Sequence, residues 1–188
     1  MTSTAEIAEF VAEVTHDRLP EDVREAAKRR LLDSVAVGLY NRDGETAAAI
    51  REGLTSEERH TGGCRTWGSP SSTDPLRAVT ANAAAIAAGN GPTFPSPTPA
   101  PAGGSIAATL VAGEAFGATG EATLAGIAAA LEVRGELAWH APLDGWSPAT
   151  HTAVAAAAGA GRVAGLDAEE LADALGIAAS RVTLAVGD

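Results

Sequence analysis

Apart from its carboxylates, few side chains in this sequence move protons or bind metals near neutral pH. They are four histidines, His16, His60, His140 and His151, one cysteine, Cys64, and one lysine, Lys28, among 188 residues. Histidine titrates close to neutrality and is the usual proton shuttle or metal ligand; a thiolate or an amine becomes a nucleophile once a neighbour depresses its pKa. Their spacing assembles none of these devices. HExxH, GxGxxG, GxxxxGK[ST] and GxSxG are all absent, and a single cysteine makes neither a metal-binding pair nor an internal disulfide. Cys64 has no evident base or cation beside it and is expected to be an inert thiol; no metal and no cofactor are expected. His16 and His60 fall in surface turns, and His140 follows Trp139 at a helix end, where an imidazole caps carbonyls and favours the dipole. His151 lies one turn inside a helix that starts at Pro148 and is expected to be partly exposed. Trp139 and Trp146 flank the turn Pro142-Leu143-Asp144-Gly145, and in a chain with 4% aromatics they are expected as core anchors.

The elements that must position these residues are built from small side chains. Hydrophobic residues make up 46% of the chain, and 44 residues are alanine, a composition suited to closely packed helices in one domain. With 24 acidic against 13 basic residues the net charge is −11, which repels phosphate backbones and anionic lipid. Nucleic acid is therefore not an expected partner, and neither is a membrane, because the apolar stretches are rich in Ala and Gly and are interrupted by Glu114 and Arg162. Glu6, Glu9 and Glu13 stand where a signal peptide needs a basic and then an apolar run, so a cytoplasmic location is expected. The acidic surface also suggests adaptation to high salt.

Helix signals recur along the chain. Ser3-Thr4-Ala5-Glu6 has capping-box spacing before Ile7, Phe10, Val11 and Val14, which predicts a helix to about Thr15. Leu19-Pro20-Glu21-Asp22 opens a second, through Val23, Ala27, Leu31, Ser34 and Gly38, with Lys28, Arg29 and Arg30 on its solvated face. A third covers Glu45 to Leu54. Gly62-Gly63-Cys64-Arg65-Thr66-Trp67-Gly68 reads as hairpin-like or extended, and Asp74-Pro75 caps a helix that ends by Gly89. Residues 89–104, rich in Pro and Gly, read as a long loop that holds neither a helix nor a central strand. Helices follow from about Ser105 to Phe116, Glu121 to Trp139, Pro148 to Ala164 and Ala168 to Val182, the last with Asp167 and Glu170 as its capping box. The expected fold is an all-α, compact bundle.

Four segments, in order, resemble the MmgE/PrpD family: LPEDVREAAKRRLLDSVAVGLY (Leu19 to Tyr40), GGCRTWG (Gly62 to Gly68), the helix containing Asn82, and AGLDAEELADALGIAAS (Ala164 to Ser180). That family includes 2-methylcitrate dehydratase and cis-aconitate decarboxylase. The resemblance implies a helical domain joined to a smaller α/β lid, usually in a dimer. The chain resembles only the first part of the helical domain, so the family's catalytic lysines and lid would lie beyond Asp188.

Site positions implied by the resemblance are altered. Asn90 stands where the family tends to have Asp, with Pro92 and Thr93 following, and Ala100-Pro101 stands for a His-Pro pair. Ser147-Pro148 replaces a second His-Pro, and Ser147 would make a helix N-cap. Eliminating water from a hydroxy-tricarboxylate, or carbon dioxide from cis-aconitate, needs a proton carrier near neutral pH and cations to hold carboxylates. The candidates here are Asn90, Thr93, Ser147 and His151, with Arg77 and Arg134 as clamps for a di- or tricarboxylate. The expectation is a pseudoenzyme or non-catalytic subunit, forming a homo-oligomer or pairing with a longer homologue. The alternatives are an active dehydratase or decarboxylase, alone or as half of a split enzyme, and a helical binding or assembly module.

Overall fold

The computed structural model describes residues 3–54, 63–70, 72–89, 93–94, 100–141, 143 and 145–181. Eight helices are found among them: α1 (Thr4–Glu13), α2 (Glu21–Asn41), α3 (Glu45–Leu54), α4 (Pro75–Ala87), α5 (Gly103–Ala115), α6 (Gly120–His140), α7 (Ala149–Ala164) and α8 (Ala168–Arg181). Two antiparallel pairs of two-residue strands complete the described elements: β1 (Cys64–Arg65) with β2 (Ser72–Thr73), and β3 (Thr93–Phe94) with β4 (Ala100–Pro101). The fold is all-α, as expected.

The ends of the helices follow their local chemistry. Ser3 and Glu6 form the reciprocal capping box on α1, Asp74 caps α4 through the Arg77 amide, and Asp167 and Glu170 exchange the same pair of bonds at α8. Helix α1 stops at Glu13, two residues short of the expected end, because Val14 is extended and a single 3-10 turn, His16–Arg18, follows. Two arginines clasp that turn from outside: Arg162 Nε donates to the Val14 carbonyl at 2.6 Å, and Arg24 Nη1 to the His16 carbonyl at 3.4 Å. Within 89–104 the β3–β4 sheet has two strands, so neither is a central strand, but α5 begins at Gly103, inside the expected loop. Val182, His60, Asn90 and Pro92 lie outside the described residues.

Helix α6 is the axis of the core. One of its faces, with Ala125, Ala129 and Val133, packs with Val11 of α1, Ala158 of α7, and Leu171 and Leu175 of α8. Another, with Leu124, Ile127 and Leu131, packs with Ala27 of α2 and Ile106 of α5. A helix apolar on both sides must sit inside a protein, which is why α6 lacks the single stripe of a surface helix. Small residues set the spacing: a Cβ on Gly126 would lie 2.9 Å from the Gly159 carbonyl, and one on Gly159 would lie 3.0 Å from the Gly126 carbonyl. Helices α6 and α7 therefore meet backbone to backbone. Helix α7 ends at Gly165, whose φ of +80° a side chain would strain.

Candidate functional site

The predicted site residues are distributed over several elements. Asn90 lies outside the described residues, and Thr93 falls in β3, in register with Pro101. Ser147 is half-buried just before α7. Pro148, not Ser147, occupies the N-cap position, and the Ser147 hydroxyl accepts from the Ala149 amide at 3.2 Å. Arg77 binds the side chain that caps its own helix, with its Nε 3.1 Å from Asp74 Oδ2.

His151 and Arg134 come together, and in the interior. His151 is 4% exposed, which corrects the expectation of a partly exposed residue; Arg134 is 0% exposed. The reason is that α7 packs closely against α6 on the same small-residue face, and the third residue of α7 points into that contact. Arg134 Nη1 lies 3.1 Å from His151 Nδ1. A guanidinium only donates, so Nδ1 must accept and the ring proton must sit on Nε2. The Ala141 backbone lies in the ring's surroundings and favours its protonated form, the smallest of the three influences on it. Burial, and then the adjacent guanidinium, push the imidazole pKa below its ordinary value, while the Ala141 backbone opposes them. Burial also lowers Arg134 to about 10, so Arg134 remains cationic at neutral pH and His151 neutral.

This arrangement braces the fold. The imidazole joins α6 to α7, with Nδ1 engaged by Arg134 and the ring 4% exposed. An acid or base in catalysis must reach a substrate proton within hydrogen-bond distance; the lone pair of Nδ1 is taken by Arg134, and the ring is closed off from solvent. No sequence motif announces the pair, because the partners are 17 residues apart on two helices.

Other polar residues serve the scaffold. Buried Asn82, on α4, accepts from the Trp67 amide at 2.9 Å and donates to the Arg65 carbonyl at 3.0 Å, fixing the β1 segment to the helix. Sequence reasoning gave Asn82 no role; an amide amid Ala and Ile in an apolar run was the available signal. Cys64 is buried, with its thiol 3.6 Å from the Val111 carbonyl, and burial raises its pKa, as suits the expected inert thiol. His140 pairs with Glu136 at 3.3 Å in the last turn of α6. The two tryptophans correct the core-anchor expectation, since Trp139 is 58% exposed and Trp146 47%. The indole packed against a helix is that of Trp67, which lies on Gly38 of α2.

No group of three or more His, Cys, Asp and Glu converges on a metal position among the described residues. A shallow groove of about 600 Å³ runs between the 3-10 turn, α2 and the α5–α6 turn, with His16, Lys28, Leu31 and Leu124 in its walls. It shares no lining residue with the positions implied for chemistry. No helix among the described residues is long and apolar enough to cross a membrane.

An all-α domain of crossing Ala- and Gly-rich helices, braced internally by a neutral histidine on an arginine, is the class defined so far. The chain belongs to the MmgE/PrpD family: the MmgE/PrpD N-terminal domain matches residues 5–185. Comparison with curated proteins gives no match.

Proposed function

We propose that this chain acts as a non-catalytic helical subunit related to the lyases of hydroxy-tricarboxylates, a single scaffold domain in the cytoplasm. The observation that carries the reading is the burial of His151, 4% exposed, with its Nδ1 held by Arg134 at 3.1 Å. Sequence departures support it: Asn90 offers an amide where a carboxylate is implied, Ala100 a methyl for an imidazole, and Ser147 a hydroxyl for another. An acid–base cluster that acts as a unit loses most of its rate when one member is lost.

A scaffold of this kind works through partners, either a second copy or a longer family member. Leu32, Leu39 and Tyr40 of α2 follow at intervals of seven and eight residues, so they share a face, and they are 70%, 38% and 88% exposed. Contiguous exposed apolar surface is the usual mark of a protein contact. The test is to mix the purified chain with a complete family member from the same genome and follow dehydration of 2-methylcitrate and decarboxylation of cis-aconitate. Altered turnover in the mixture, with a complex seen by light scattering, supports the subunit reading. Turnover by this chain alone favours the lyase reading, and the absence of both effects favours an assembly module.

A further inference from the structure

His151 ties the first turn of α7 to the interior of α6. Its Nδ1 accepts from Arg134 of α6 at 3.1 Å, and its own backbone belongs to the first turn of α7. Between those helices runs the connection that carries Trp146 and Ser147. We propose that His151 is a pH-operated latch: a proton taken from water onto Nδ1 abolishes the Arg134 hydrogen bond and releases the α6–α7 connection from the core.

The chemistry of the switch is local. Nδ1 has one lone pair, which either accepts from the guanidinium or binds a proton. Once protonated, the ring has two N–H donors and a positive charge, and it faces a permanent cation across a hydrogen-bond distance with little water between them. The stable outcome is withdrawal of the ring from the core, and the turn that holds it moves too. Burial and Arg134 both hold the imidazole neutral at physiological pH, so the latch is closed there and opens on acidification.

On the neighbouring helices the described acids are exposed or already paired. Among the described residues, the charged group facing the ring is Arg134, from α6. Helix α5 carries only Glu114, which pairs with Arg65. On α6, Glu132 and Glu136 are exposed, and Glu136 pairs with His140. The acids of α1 and α8, Glu6, Glu9, Glu13, Glu169, Glu170 and Asp173, are exposed as well. On α7 itself, Arg162 is turned to the Val14 carbonyl.

The latch does not depend on whether the chain turns over a substrate. It is tested by NMR on the whole chain, titrated from about pH 7.5 to about pH 5, the range in which histidine changes charge. Expected is an Nε2–H tautomer of His151 at the upper end, then protonation with a midpoint below its ordinary value. The Trp146 indole resonance should move with the same midpoint. His151→Asn places a non-titrating acceptor where Nδ1 stands and should hold the Trp146 resonance still over the same range, while His140→Gln should leave the transition unchanged. If His151→Asn does not fold, coincidence of the His151 and Trp146 midpoints in the unmodified chain decides the matter. Protonation of His151 with a motionless Trp146, or a Trp146 transition that persists in His151→Asn, would overturn the proposal.

Discussion

Gly126→Ala and Gly135→Ala place the same methyl on the same helix, and opposite effects are expected. Both are on α6, and in an open position either exchange would stabilise the helix by roughly 0.5–1 kcal/mol, because alanine loses less backbone entropy than glycine. At Gly135 a Cβ meets nothing within 4 Å, so that gain should appear in full. At Gly126 the methyl would press on the Val163 side chain, sit 2.9 Å from the Gly159 carbonyl and 3.1 Å from Thr109 Cγ2. The carbonyl belongs to α7 and cannot rotate away, while Val163 is β-branched and stiff on its own helix. Overpacking of this kind costs about 1–3 kcal/mol, and a backbone obstacle puts the cost at the upper end. Subtracting the propensity gain leaves a net loss of roughly 1–2 kcal/mol, or about 2–8 °C in Tm for a chain of this length. Thermal unfolding followed by circular dichroism at 222 nm reads both variants. A Gly126→Ala protein as stable as Gly135→Ala would refute the backbone-to-backbone crossing of α6 and α7.

Three further outcomes are expected. Arg134→Met strands His151 Nδ1 in the core and should cost about 1–3 kcal/mol, whereas Arg134→Met/His151→Leu removes both polar groups and should recover most of the loss in urea melts; strict additivity of the two single changes would count against the brace. The His151 pKa is lower folded than unfolded, so its contribution to stability is fully present above about pH 6.5 and is lost as pH falls toward the folded value. The urea midpoint should follow that course, and a midpoint that climbs on acidification through this window would contradict it. Cys64 is 1% exposed and should resist a thiol reagent in the native protein and react fully in denaturant; rapid native labelling would contradict its burial.

What the sequence made legible was local. The helix starts at Ser3, Asp74 and Asp167 were readable because each cap is a bond between residues three apart. The order of the helices could be read for the same reason, with Pro and Gly marking the intervals. The burial of particular residues could not be read. In α7 the sequence ATHTAVAAAAGAGRVA is built mostly of small residues, so it gives little contrast between an inward and an outward face and does not place His151. Side-chain bulk does not place the tryptophans either: Trp139 and Trp146 are exposed on both sides of the α6–α7 connection, while Trp67 packs on Gly38 of α2. The Arg134–His151 pair is tertiary, and only the packing of α6 on α7 creates it.

The central claim, that the chain is a braced scaffold without acid–base chemistry of its own, is tested most directly by presenting the purified chain at neutral pH with 2-methylcitrate, citrate and cis-aconitate in turn. Dehydration is followed by absorbance and decarboxylation by carbon dioxide release. No turnover above the uncatalysed rate is expected at any protein concentration. Turnover that rises in proportion to the protein, and that survives a further purification step, would contradict the claim.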